Sequence, residues 1–182
     1  MRVSVFGGSQ PKEGDEAYVE AQALGRLLAE RGHTVLTGGY IGTMEAVSRG
    51  AHEAGGHVIG VTCGQIEAWR PVRANRWVTE ERRFGSLLER LGELVTACDA
   101  AVALPGGPGT LAEVALSWNL NIIQPAGPKP LVLVGVGWQA VMDEFNLRFD
   151  ATVPPAQRGL LRFATDVRQA VSMLDQGGQQ VG

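Results

Sequence analysis

The sequence predicts an α/β fold: a single Rossmann-like domain, with a mostly parallel sheet of about six or seven strands and helices on both faces. Three observations lead there. Short β-rich runs alternate with helical stretches along the chain. Three of those runs, Arg2–Phe6, Thr34–Leu36 and Ala100–Leu104, lead directly into glycine-rich turns. Three units of strand followed by turn or helix already fall within Arg2–Val61, the rhythm of right-handed parallel crossovers.

Taken in order, Arg2–Phe6 is a strand ending in Gly7-Gly8-Ser9. Asp15–Arg31 carries Tyr18, Ala21, Leu24, Leu27 and Leu28 at helical spacing, and Gly32 stops it. Thr34–Leu36 is a short strand running into Thr37-Gly38-Gly39-Tyr40-Ile41-Gly42. Thr43–Ala54 is a helix with Met44, Val47 and Ala51 on one side, ended by Gly55-Gly56, and His57–Val61 is a strand. Thr62–Thr79 is less regular. Glu80–Ala97 reads as one helix that buries Phe84, Leu87, Leu88, Leu91, Leu94 and Val95. Arg83, Ser86, Arg90 and Glu93 would then form a separate polar stripe. Beyond Ala100–Leu104 come a helix to about Ile122, a loop at Pro125–Pro130, a strand at Leu131–Val134 and a helix at Trp138–Phe149. A short strand at Leu161–Ala164 and a helix at Asp166–Leu174 complete the pattern. Residues 1–176 are expected to form the domain and 177–182 a frayed tail.

Composition excludes several classes. A net charge of −3 and a pI near 5.6 give no bulk attraction to nucleic acid or anionic membrane. No apolar run approaches the roughly 18 residues of a membrane span. The opening MRVSVFGG enters a strand at once, leaving no room for a signal peptide. Cys63 and Cys98 are too far apart for a C-x-x-C pair and read as buried free thiols, so the expected location is the cytoplasm. His33, His52 and His57 show no ligand spacing, so no metal is expected.

The chemistry concentrates at Cys98–Glu113, CDAAVALPGGPGTLAE. An apolar run meets the glycine turn Pro105–Gly109, and Thr110-Leu-Ala-Glu113 opens a helical pattern. That order of parts builds an anion cradle, in which glycines admit the ligand to the backbone and helix N–H groups point at it. PGGPGT is neither G-x-G-x-x-G nor a Walker loop, which argues against a dinucleotide or a triphosphate. Gly106, Gly107, Gly109 and Thr110 are the candidate phosphate ligands. Gly8, Ser9, Gly38, Gly39 and Gly42, at the ends of two other strands, either line the same site or only turn the chain.

PGGPGTLAE resembles the P-G-G-x-G-T-x-x-E signature of the Lonely Guy (LOG) proteins, formerly described as "lysine decarboxylase-like". VFGGSQ, TGGYIGTMEAVSRGA and GGHVIGV also resemble that family, so the likeness runs from about Arg2 to Asp166. It implies a Rossmann-like fold, a homodimer and cleavage of nucleoside 5′-monophosphates to free base and ribose 5-phosphate. Cytokinin nucleotides are the family's best-known substrates, and several members cleave AMP. The family's arginine, in an M-H-x-R-K segment, falls on Arg90; its histidine and lysine are Leu88 and Leu91 here. Trp118 sits nearer the glutamate than in the hormone-activating branch. Other relatives of the fold bind a nucleotide-like cofactor such as molybdenum cofactor without catalysis, so a binding or carrier protein is the alternative.

The resemblance makes Glu113 and Arg90 the catalytic candidates. Breaking an N-glycosidic bond passes through an oxocarbenium-like ribosyl cation, which a carboxylate beside C1′ stabilises while taking a proton from water. Arg90 would hold phosphate or ribose, or orient Glu113. Each residue also has a structural alternative: Thr110-x-x-Glu113 is a capping box, and Arg90 pairs with Glu93 on a solvated helix face. A pyridoxal phosphate decarboxylase is rejected. The two lysines, Lys12 and Lys129, both lie in loop-like contexts away from the signature, and no cofactor is expected.

Overall fold

The computed structural model describes residues 1–124 and 127–177. Seven parallel strands form one sheet: β1 (Arg2–Phe6), β2 (Thr34–Thr37), β3 (Val58–Cys63), β4 (Glu80–Phe84), β5 (Ala100–Ala103), β6 (Leu131–Val134) and β7 (Arg162–Ala164). Their spatial order is β4-β3-β2-β1-β5-β6-β7. The chain winds outward from β1 in one direction, then returns after β4 to lay β5 on the other side of β1. The seam between β1 and β5, registered Val3 to Ala100 through Phe6 to Ala103, is therefore the switch point of the sheet. Ligands of open α/β sheets bind at the carboxyl ends of the strands beside such a seam.

The helices are α1 (Glu16–Glu30), α2 (Thr43–Glu53), α3 (Gly64–Trp69), α4 (Leu87–Thr96), α5 (Pro108–Ile123), α6 (Val136–Arg148), α7 (Pro155–Arg158) and α8 (Val167–Gly177). The pleat sorts the core into two layers. Val3, Val5, Val35, Val58, Ala100 and Val102 point to the side covered by α1, α2 and α8. Phe6, Leu36, Ile59, Val61, Ala101 and Ala103 point to the side covered by α4, α5 and α6. With both faces covered, the inner strands are apolar at nearly every position and show no alternation.

Glu80–Ala97 is not one helix. Glu80–Phe84 is strand β4, paired with β3 from Ile59↔Glu80 to Cys63↔Phe84, and α4 starts only at Leu87. Strand β4 is an edge, so one side faces water and its charges find partners: Arg82 donates to Glu80 and Glu93, each at 2.7 Å. Ser86 then caps α4 through a capping box with Glu89. The new start turns α4 so that Leu87 and Leu88 are exposed and Arg90, Leu94 and Val95 are buried. The expected polar stripe from Arg83 to Glu93 does not form.

Elsewhere the boundaries shift by a few residues; α3 lies in the stretch expected to be less regular, and α7 in one to which no element was assigned. Of the expected loop at 125–130 the first two residues lie outside the described ones; so does the expected tail, apart from Gly177 in α8. Among the described residues no helix is long and apolar enough to cross a membrane.

Helices α1 and α2 touch backbone to backbone. A Cβ on Gly25 would stand 2.0 Å from the Val47 carbonyl oxygen, and one on Gly50 1.9 Å from that of Gln22. Gly25→Val should therefore lower the melting temperature by roughly 10 °C, as expected for about 3 kcal/mol of overpacking in a chain of this length. Gly92, in α4, has nothing within 4 Å of its Cβ direction, so Gly92→Ala should raise stability by up to about 1 kcal/mol. Thermal denaturation of both variants checks the pair.

Candidate functional site

Three glycine turns converge at the carboxyl edge. Gly8, after β1, donates its N–H to the Pro105 carbonyl after β5 at 3.2 Å. Its own carbonyl accepts from Thr43 N–H, at the start of α2, at 2.9 Å. A Cβ on Gly106 would lie 2.2 Å from Thr110 Oγ1 and 3.0 Å from the Gly8 nitrogen. One on Gly42 would lie 2.6 Å from Ser9 Cα, and its φ of +73° suits glycine alone. Gly8, Ser9, Gly42, Gly106 and Thr110 thus form one contiguous ridge. Trp138 of α6 anchors it from behind, donating Nε1–H to the Leu104 carbonyl at 3.1 Å.

Helix α5 begins at Pro108, with Gly107 as N-cap and no side chain capping it. Thr110 is therefore the third helical residue and Glu113 the sixth, so the capping box considered for this pair is not formed. Proline suits the first helical position because it has no N–H to leave unpaired. The amides of Gly109 and Thr110 are left at the positive end of the helix dipole without a side-chain acceptor. This is the arrangement that receives an anion.

Glu113 lies one turn further along α5 and is 9% exposed. It has no hydrogen-bond or ion-pair partner among the described residues. Burial lifts its carboxyl to about 7 from an ordinary 4.5, with the Arg90 charge pulling weakly the other way.

Arg90 reaches the same edge from α4, 6% exposed. Its Nε donates to the Val61 carbonyl at 2.7 Å and its Nη2 to the Gly38 carbonyl at 3.1 Å. The guanidinium carbon stands 5.5 Å from the centre of the Tyr40 ring. The solvated pairing with Glu93 does not occur, since Glu93 binds Arg82. Nη1 is left without a partner among the described residues. Gly38 and Gly39 support this arrangement: a Cβ on Gly38 would sit 2.0 Å from Nη2, and Gly39, at φ +77°, packs on Gly60.

Tyr40 and Thr43 were not singled out by sequence reasoning, although both lie in TGGYIGT. Tyr40 is fully buried, and its hydroxyl accepts from the Cys63 amide at 2.8 Å and donates to the Cys63 carbonyl at 3.1 Å. It fixes the end of β3 beside Arg90. Thr43 fills the space left by Gly7, where a Cβ would meet its methyl at 2.4 Å. Trp118 packs away from the ridge and donates to the Gln157 carbonyl at 2.8 Å.

Residues 1–125 match the sequence profile of the SLOG cluster4 family. The chain belongs to the SLOG cluster4 family of LOG proteins. Two relatives of this SLOG cluster4 chain, both from Oryza sativa subsp. japonica, carry the name "Probable cytokinin riboside 5'-monophosphate phosphoribohydrolase". LOGL5 is 41% identical over 114 residues, which cover 62% of this chain and 46% of that protein. The match thus spans under half of LOGL5. LOGL9 is 34% identical over 184 residues, covering 96% of this chain and 78% of that one. Among solved structures, the molybdenum cofactor carrier protein of Chlamydomonas reinhardtii is 32% identical, with a TM-score of 0.74 and 96% of each chain covered.

An elevated carboxyl gives this site a stability signature. The folded chain holds the Glu113 proton up to about pH 7, whereas the unfolded chain releases it near 4.5. Its contribution to stability is present below pH 4.5 and is lost as pH rises through 7, by about 3 kcal/mol in all. Glu113→Gln removes that loss. It should raise the melting temperature by roughly 10 °C at pH 8 and change it little at pH 4.5, as read by thermal denaturation at the two pH values.

Proposed function

We propose that this chain hydrolyses the N-glycosidic bond of a nucleoside 5′-monophosphate, giving free base and ribose 5-phosphate. The observation that carries the proposal is the buried, unpartnered Glu113 one helical turn beyond an uncapped, glycine-lined helix N-terminus. A phosphate binder alone gains nothing from a carboxylate so close to an anion. The names carried by the LOGL5 and LOGL9 relatives agree with the proposal.

In this mechanism the 5′-phosphate sits on the amides of Gly109 and Thr110 against Gly106 and Gly107, with Gly8, Ser9 and Gly42 as the facing wall. Arg90, steadied by Gly38 and Gly39, offers Nη1 to the phosphate or ribose. The C1′–N bond breaks with its electrons moving to the base, and ionised Glu113 stabilises the ribosyl cation. A water oxygen then bonds to C1′, one water proton passes to Glu113, and it ends on the base nitrogen. A carboxyl near 7 is half ionised at neutral pH, so it can take and return that proton.

Carriage of a phosphorylated pterin such as molybdenum cofactor is the second reading. The whole-length likeness to the Chlamydomonas reinhardtii carrier favours it, as do Leu88 and Leu91 in place of the family's histidine and lysine. The proposal extends to a homodimer, because α4 and α5 expose Leu87, Leu88, Leu111, Ile122 and Ile123 to water. Cys63 and Cys98, both free and buried, suit a reducing cytoplasm.

A panel of nucleoside monophosphates, scored for free base and ribose 5-phosphate, tests hydrolysis. kcat/KM should climb between pH 6 and 8 with the ionisation of Glu113. Glu113→Gln should cut kcat about 100-fold or more while leaving binding intact. Arg90→Ala should cost far more than Arg83→Ala, since Arg83 only pairs with Glu67 at the surface. Equal losses from the two arginines would refute a specific role for Arg90. Light scattering at tens of micromolar protein should give twice the 19.3 kDa chain mass, and a monomer mass would refute the dimer.

A further inference from the structure

The glycine ridge has a second hollow beside it. A cavity of about 340 Å³ opens at the carboxyl edge, lined in part by Ser9, Lys12, Tyr18, Gly42, Glu45 and Arg70. Its size is that of a small-molecule pocket. Tyr18 of α1 and Glu45 of α2 place it on the α1–α2 side of the sheet, whereas Arg90 and Glu113 stand on α4 and α5. Ser9 and Gly42, packed on each other, form the wall between the cavity and the phosphate cradle.

Two opposite charges in this cavity lack a hydrogen-bond or ion-pair partner among the described residues, although Arg70 stacks over Trp69 at 5.7 Å and Glu45 faces the positive end of α2. The Nε of Arg70 is buried and has no hydrogen-bond partner. A buried donor without an acceptor is destabilising, and such groups in folded proteins call for an explanation. Glu45, in the first turn of α2, is half-buried and makes no hydrogen bond or ion pair among the described residues. The two line one cavity yet do not come within the 4.0 Å of an ion pair. The neighbouring Glu13 is already held by Arg49, so Glu45 is the cavity's carboxylate without an ion-pair partner among the described residues.

We propose that this cavity is a subsite for the lactam edge of a guanine- or pterin-type ring: a carbonyl, a ring N–H and an exocyclic amino group in a row. The inference rests on the reading of the chain as a binder of a nucleotide or a phosphorylated pterin. The ring carbonyl accepts from Arg70, with Lys12 as a second donor at the mouth. The ring N–H and the amino group donate to the two oxygens of Glu45. Adenine reverses the pattern, placing an amino group against the guanidinium and a bare ring nitrogen against the carboxylate. Discrimination of this kind is strong because the wrong ring leaves buried polar groups of the protein unpaired.

Calorimetric titration of the Glu113→Gln protein, in which turnover is strongly slowed, with GMP, AMP and pterin provides the test. GMP and pterin should each bind at least about tenfold more tightly than AMP. Glu45→Gln and Arg70→Ala should each abolish that preference, leave AMP affinity within about twofold, and keep the thermal unfolding transition. AMP binding as tightly as GMP and pterin, or a preference that survives both substitutions, overturns the subsite. Turnover by the otherwise unaltered protein separates the two readings. Pterin binding through Glu45 with every monophosphate left intact refutes hydrolysis and retains the subsite, with a pterin as its ligand. Cleavage of GMP with a KM raised by Glu45→Gln retains both and makes the guanine nucleotide the ligand. Hydrolysis of GMP and AMP alike, with KM unchanged in Glu45→Gln, retains hydrolysis and refutes the subsite.

Discussion

The close approach of backbone to backbone at the switch point is the constraint on which the rest of this molecule depends. Gly8 bonds to Pro105, Thr43 bonds to Gly8, and Gly42 and Gly106 leave no space for even a methyl group. Turns after β1, β2 and β5 are thereby fixed as one surface, and α5 starts from it in a defined direction. The candidate catalytic groups inherit their positions from this contact. Glu113 is placed by the first turns of α5, and Arg90 is held by carbonyls at the ends of β2 and β3.

Electrostatic cost is concentrated where the chemistry is proposed. Helix α4 receives a complete capping box from Ser86 and Glu89, while α5, whose start faces the cradle, has no side-chain cap. The charges of β4 are paired with neighbours at the surface, while Glu113 and Arg90 are buried without forming an ion pair. Pairing the charges of β4 while leaving Glu113 and Arg90 open is a departure from local optimisation at the proposed site. Such departures are expected at functional sites.

Most of the sheet was legible because β1, β2, β3, β5 and β6 are covered on both faces and read as short apolar runs, each closed by glycine, a helix start or a turn. Of the signature glycines, Gly106 has a related reason, since a Cβ there would meet Thr110 and the Gly8 backbone, whereas Gly107 and Gly109 have open space. Strand β4 was not legible. Its sequence, Glu80-Glu81-Arg82-Arg83-Phe84, has the composition of a solvated helix, and only edge position and pairing with β3 make it a strand. Arg90 was identified by resemblance but also placed on a polar stripe, because the helix drawn from Glu80 was given Leu87 and Leu88 as its buried side, and these are exposed. Its burial depends on carbonyls 29 and 52 residues away in the chain, which no local periodicity can register. The cavity holding Glu45 and Arg70 was equally hidden, since it joins three separate stretches of the chain.

The two rims of the sheet have a consequence for how copies of this protein can associate. On one side β4 presents glutamate and arginine to water, and on the other β7 is only three residues long. Neither rim is a template onto which another chain can add a strand. Growth by sheet extension, which has no natural end point, is closed off. Any association of copies is left to helix surfaces, where a twofold contact would consume both partners' faces and stop at a finite particle.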